Sequence, residues 1–243
     1  MVNQYTKITE YYDLCVTSGY YDYKSLAQEA YSIVGDGREI LELGVGTGLL
    51  AEKYIEIDPK SEFTGVDFSS SMLDIAKNRL GDRAKLIEAD VVTMNLNATF
   101  DVAISNGGVW VSYDCGDRWE VGSLIPNVEA NFPGLVNVAS HLREGGLLLL
   151  NVQNPHDNFD KQLSSEVVYS QSVDQLQETG DYRIINKTYF FKNQTGEILA
   201  QEQHKITLFN QDAYVKMFDQ AGFDFQEISS SSNGDRFAIY KKR

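Results

Sequence analysis

The sequence predicts an α/β protein, a doubly wound and mostly parallel seven-stranded sheet with an added antiparallel ribbon. From Glu39 onward, short apolar runs alternate with stretches of helical period, and the first run is broken by a loop of spaced glycines. Beyond Val152 two long segments of mixed alternation replace that pattern.

Strands buried on both faces read as continuous apolar runs, because helices cover a parallel sheet above and below. Residues 39–43 form the first such run, with a helix over 49–55, and residues 63–67 form the second. Ser69 or Ser70 is placed to cap a helix over 72–80. Residues 85–90, 100–105 and 146–152 predict the third, fourth and fifth strands, with a helix over 133–142 ahead of the fifth. The segments 182–192 and 198–209 flank Asn193-Gln194-Thr195-Gly196-Glu197, polar residues around a glycine, and so predict the ribbon. A last helix over 211–220 leads to closing strands over 225–229 and 236–240, and the serine run 229–232 reads as a loop. Residues 8–34 read as helical and carry a cluster of tyrosines. One domain over 1–243 is expected, with 1–34 as a helical lid and 109–133 and 166–210 as substrate-side insertions.

Composition narrows the function. With 21 Lys and Arg against 35 Asp and Glu, the net charge of −14 repels phosphate backbones and anionic lipid, so neither nucleic acid nor membrane is an expected partner. Cys15 and Cys115 have no Cys-x-x-Cys or His-rich company, and no metal is expected. The first residues are polar and the longest apolar run, 147–150, is too short to span a bilayer, so the expected location is cytoplasmic.

The loop Glu42-Leu43-Gly44-Val45-Gly46-Thr47-Gly48 lies between a predicted strand and helix, where glycines let a ligand approach the backbone. A dinucleotide fingerprint would need a third glycine where Leu49 stands, and a phosphate loop would need a lysine that is absent. The segment resembles the first motif of the class I S-adenosylmethionine-dependent methyltransferases, which Glu42, Gly44, Gly46 and Gly48 match residue by residue. Asp67 ends the second strand where that family carries an acid for the ribose hydroxyls, and Ser69 to Met72 reproduce its Ser-x-x-Met helix start. Glu88-Ala89-Asp90-Val91 looks like the adenine-contacting element, and Leu142-Arg143-Glu144-Gly145-Gly146 resembles the turn before strand five. The resemblance implies a Rossmann-like methyltransferase fold and S-adenosylmethionine as cofactor. By the same resemblance Phe68 and Met72 flank the adenine, Asp90 and Val91 contact it, and Asn106 joins the cofactor residues from the loop after strand four.

Methyl transfer is an in-line displacement, so the protein must position the acceptor, exclude water and, where needed, remove a proton. In an open α/β sheet the acceptor belongs at the carboxyl ends of the strands, which nominates the loops after Ser105 and Val152. Family members that methylate planar amines often carry Asn/Asp-Pro-Pro-aromatic after strand four, whereas this chain has Asn106-Gly107-Gly108. Members that methylate sugar amines often carry a His there, and none lies between Asn106 and Phe132. The expected reaction is transfer to an N or O atom of a small-molecule acceptor, with a non-catalytic binding protein of the same fold as the alternative and a homodimer as one assembly open to it. His156, just after strand five, is the candidate base; His141 reads as structural and His204 as facing the pocket from the ribbon. Trp110, Tyr113 and Trp119 suggest an aromatic lid over the acceptor. Tyr12-Asp13 matches a Tyr-Asp pair in the segment that closes over cofactor and acceptor in many members, which makes Tyr12 a candidate for both cofactor binding and catalysis.

Overall fold

A computed structural model describes residues 5–230 and 234–243. Ser231 and Ser232 of the predicted serine loop, and the first four residues of the predicted lid, lie outside the described residues. The central sheet takes its strands from the predicted apolar runs: β1 Glu39–Leu43, β2 Glu62–Asp67, β3 Lys85–Glu88 and β4 Phe100–Ser105. Next in the chain come β5 Trp110–Asp114 and β6 Trp119–Ser123, then β7 Leu142–Gln153, β8 Phe159–Gln162, β9 Val168–Glu178, β10 Tyr182–Lys192 and β11 Ile198–Phe209. β12 Phe223–Ile228 and β13 Phe237–Lys242 close the chain. Seven of these form the order β3-β2-β1-β4-β7-β13-β12, in which β13 runs against β7 and the pairs from β3 to β7 are parallel.

Alternation along the strands builds two cores. Ile40, Val102, Ile104 and Leu149 pack with α2 Tyr23–Val34 and α3 Leu49–Ile57 on one face. Leu41, Leu43, Ala103, Leu148 and Leu150 pack with α5 Asn131–Ser140 and α6 Gln211–Gln220 on the other. The remaining helices are α1 Thr9–Thr17 and α4 Ser70–Leu80. No helix among the described residues is long and apolar enough to cross a membrane.

Three differences from the sequence expectation reshape the acceptor side. The ribbon is part of a six-stranded antiparallel sheet, β5-β6-β11-β10-β9-β8, joined to the central sheet where Ser112 and Tyr113 of β5 run parallel to Val152 and Gln153 of β7. β9 escapes a reading for alternation because its second half, from Asp174 on, is exposed on both faces. The 109–133 segment is largely the hairpin β5–β6, and Trp110 points into the main core, where its indole N–H donates to Asn131 Oδ1 at 2.9 Å. Trp119 lies beneath Arg236 and lines a separate groove with Tyr214 and Phe225, so of the three lid aromatics Tyr113 is the one that faces the cavity over the strand ends. Finally, Ser69 is the N-cap of α4 but makes no side-chain cap bond; its own N–H donates to Asp67 Oδ1 at 2.9 Å.

Candidate functional site

The strand order reverses between β1 and β4, and the loops after those strands diverge at their carboxyl ends. Two chambers open there. The first encloses about 930 Å³ and is walled by Gly44, Gly46, Asp67, Phe68, Met72, Asp90 and Val91, with Tyr12 and Gly108 among its other neighbours. The second encloses about 630 Å³ between α1, the β5–β6 hairpin and the antiparallel sheet. Tyr5, Tyr12, Gly107, Val109 and Leu124 border both, so the chambers meet along a common wall.

Backbone contact explains the glycines of the first chamber. A Cβ on Gly44 would stand 2.8 Å from Gly108 Cα, and one on Gly108 would stand 2.1 Å from the Leu43 carbonyl oxygen, so the loops after β1 and β4 touch through bare backbone. At Gly46, φ is +55° and the Cβ direction is open, so this residue presents backbone to the chamber. Its N–H donates to Asp67 Oδ2 at 2.9 Å, which ties the glycine loop to the end of β2. Gly48 lies elsewhere: an added Cβ would meet Leu80 Cδ1 at 2.9 Å, so it lets α3 pack on α4 and does not wall the chamber.

The acids differ in kind. Burial raises the Asp67 carboxyl above its ordinary range despite backbone N–H donors from Ser69, Gly46 and Phe68. Glu42 is 3% exposed, also held high by burial and by the neighbouring Asp67, and its Oε2 has no hydrogen-bond partner. Glu42 does not itself line the chamber; its orphaned buried oxygen, next to a loop that does, fits a polar or cationic ligand group. Asp90 is exposed; its Oδ1 accepts from Val92 N at 2.9 Å and its carbonyl from Thr93 N, so it both shapes the turn after β3 and walls the chamber. Phe68 is 39% exposed at the rim while Met72 is buried beneath it on α4. Asn106 is buried with an unpartnered Oδ1 but does not line the chamber; its neighbours Gly107 and Gly108 do.

The N-terminal segment is fastened to this loop. Asp13 Oδ1 accepts from Thr47 Oγ1 at 2.5 Å, Asp13 Oδ2 pairs with the Arg79 guanidinium, and Arg79 Nε donates to the Thr47 carbonyl at 2.8 Å. That clip holds the adjacent Tyr12 over both chambers, edge-on to Tyr5. Burial raises the Tyr12 hydroxyl well above its ordinary range, so at neutral pH it is a donor.

In the second chamber, His156 lies 3.0 Å from Tyr113 Oη through Nε2 and 3.4 Å from Tyr20 Oη through Nδ1. Burial, and the Lys187 ammonium next to it, push the imidazole well below its usual value, so it is neutral at pH 7. His204, expected to face the pocket, is fully buried away from it, with its ring against Tyr5 and Nε2 on Glu202 at 3.3 Å. His141 is structural: its Nε2 accepts from Leu96 N at 3.2 Å. Lys187 was missed by the sequence reading. It is 2% exposed on a strand face that otherwise presents Ile185, Tyr189 and Phe191 at a period of two, and a single charge on an apolar face was the signal available.

Residues 40–120 match the family model of a methyltransferase domain. Residues 40–120 thus form a methyltransferase domain, in keeping with the class I S-adenosylmethionine-dependent methyltransferases that the motifs resemble. A malonyl-[acyl-carrier protein] O-methyltransferase of Bacillus cereus is 30% identical over 185 residues, which cover 68% of this chain and 62% of that protein. The chain thus spans about three fifths of the length of the curated relatives it matches. The CcbJ methyltransferase of Streptomyces caelestis superposes with a TM-score of 0.71 at 14% identity, covering 99% of this chain and 98% of that one. S-adenosylmethionine-bound CalS10, an amino pentose methyltransferase from Micromonospora echinaspora, gives 0.69 at 16% identity, covering 96% of each. At these identities the likeness is one of fold, and it covers nearly the whole chain.

Proposed function

We propose that this methyltransferase binds S-adenosylmethionine in the first chamber and transfers its methyl group to an N or O atom of a small-molecule acceptor held in the second. The cofactor, when bound, supplies a methyl group on a positively charged sulfur. Asp67 can accept both ribose hydroxyls from the end of β2, because a carboxylate offers two oxygens along one edge. Phe68, Met72, Asp90 and Val91 surround the position of the adenine, Gly44 and Gly46 offer backbone to the amino-acid end, and Glu42 offers its unpartnered oxygen beneath them. Ser105 Oγ, accepting from Val109 N and Trp110 N at 3.0 Å each, fixes the Gly107-Gly108 turn between the chambers; Asn106 keeps an unpartnered Oδ1 in that turn, and Gly48 seats α3.

On the acceptor side, residues 5–34, 109–133 and 166–210 contribute the roof of the second chamber. Tyr12 orients the acceptor with a hydroxyl that stays protonated. His156, kept neutral by burial, can take an acceptor proton through the Tyr113 hydroxyl 3.0 Å from its Nε2. The observation that carries this reading is the common wall of Tyr5, Tyr12, Gly107, Val109 and Leu124, since a donor group in one chamber and an acceptor in the other would be neighbours. Calorimetric titration with S-adenosylmethionine, S-adenosylhomocysteine and nicotinamide dinucleotides tests it, followed by turnover over a panel of acceptors. Binding of the first two alone, with turnover, supports the reading; binding of a dinucleotide in their place, or binding without turnover, sinks it.

A further inference from the structure

Lys187 is a buried cation without an anion. Its terminal nitrogen donates to Tyr20 Oη at 3.2 Å and lies 3.4 Å from His156 Nδ1, and it sits over the rings of Tyr189 and Tyr20 at 4.6 and 5.5 Å from their centroids. The titratable groups facing it are Cys15 of α1, Tyr20, His156, Tyr189 and, across the β10–β11 pairing, His204, which is itself occupied by Glu202. Among the described residues no carboxylate pairs with it. Burial lowers its pKa to about 7, so near neutrality the side chain sits at the edge of losing its charge. Two hydroxyl-bearing rings and a neutral imidazole soften the cost of the charge but do not neutralise it, and a buried charge left unpaired is among the costliest features of a fold.

The charge also lines the acceptor chamber, whose other walls are mostly aromatic and aliphatic, with Ser123, Gln153 and His156 as polar members. Resting on the two-chamber reading above, we propose that the acceptor carries a carboxylate and that Lys187 is the residue that holds it. One ammonium with one free N–H direction matches a monoanion, whereas a phosphate dianion would call for a second cation, and among the described residues lining this chamber Lys187 is the only lysine or arginine. The same ammonium disfavours a cationic amine as the bound form of an acceptor. A carboxylate at Lys187 would restore its charge, leaving Tyr113 and His156 to face the rest of the molecule.

The test uses the full chain, with and without saturating S-adenosylhomocysteine, and calorimetry at pH 6 with butyrate, benzoate and phenylacetate, each paired with its primary amide. At least one carboxylate should bind roughly tenfold more tightly than its amide, the scale of a hydrogen bond to a charged group. Lys187→Met should erase that difference, Lys187→Arg should keep it, and neither should shift S-adenosylhomocysteine affinity more than about twofold, since Lys187 lines the second chamber and not the first. The preference should fade as the pH is raised from 7 towards 10. Carboxylates binding no better than amides throughout the panel, or a preference that survives in Lys187→Met, overturns the proposal. Failure of S-adenosylhomocysteine to bind while the carboxylate preference persists would sink the cofactor reading alone.

Discussion

The two chambers sit side by side yet are built in opposite ways. The cofactor wall of the first is supplied by three consecutive strand ends between Gly44 and Val91, so that part of its chemistry is local in sequence, with Tyr5, Tyr12 and residues 107–109 and 124–126 closing it. The second is side chains gathered from α1, the β5–β6 hairpin, the loop after β7 and strands β9 to β11, which span residues 5 to 206. A site made of glycines and strand ends tolerates little change in backbone, while a site made of side chains on a sheet can be rebuilt residue by residue. The contrast predicts that substitutions in the first chamber act on cofactor affinity and those in the second on the acceptor.

Gly46→Val should break the first chamber most completely. A branched side chain would project into open space meant for ligand, and a φ of +55° adds about 1–2 kcal/mol of strain, so calorimetry should find S-adenosylmethionine binding abolished in a protein that still melts cooperatively. Asp67→Ala comes next. Loss of hydrogen bonds to a charged group should weaken cofactor binding by about 1.5–3 kcal/mol with the fold intact, and wild-type affinity would remove the ribose role. Asp13→Ala sharpens the boundary between the chambers, because it cuts the clip to Thr47 and Arg79 that holds Tyr12 while leaving the Tyr12 side chain and the glycine loop unaltered. Turnover should fall several-fold and cofactor affinity less; a change confined to affinity would make the clip part of the glycine loop alone.

The smallest effect is a pH dependence of stability. The folded pKa of His156 is depressed, so its contribution is complete above about pH 6.5 and is lost as the pH falls, when the unfolded chain takes up a proton that the folded one resists. Urea melts from pH 6.5 to 5 should lose up to about 1.4 kcal/mol per pH unit from this residue, and His156→Gln should flatten that slope. An unchanged slope would mean the imidazole is solvated.

Legibility in the sequence followed the same division. The strand runs, the glycine loop, Asp67 and Asp90 were readable because each is defined by neighbours within a few residues. Even there, Gly48 proved a packing residue and Asn106 lay off the wall, since spacing does not say which way a residue faces. The second chamber was mostly hidden. Trp110, chosen for its size, serves the core through Asn131, and His204 turned to Glu202, while Lys187 depends on the register that sets it opposite His204 and beside Tyr20. Non-local pairing of strands leaves no short-range mark in a sequence.

The most direct measurement is calorimetric titration of S-adenosylhomocysteine into the wild-type protein, Asp67→Ala and Lys187→Met in parallel. The two-chamber account predicts tight binding by the wild type, roughly ten- to hundredfold weaker binding by Asp67→Ala, and near wild-type affinity in Lys187→Met. Equal affinity in the wild type and Asp67→Ala, or a loss in Lys187→Met as large as that in Asp67→Ala, would contradict it.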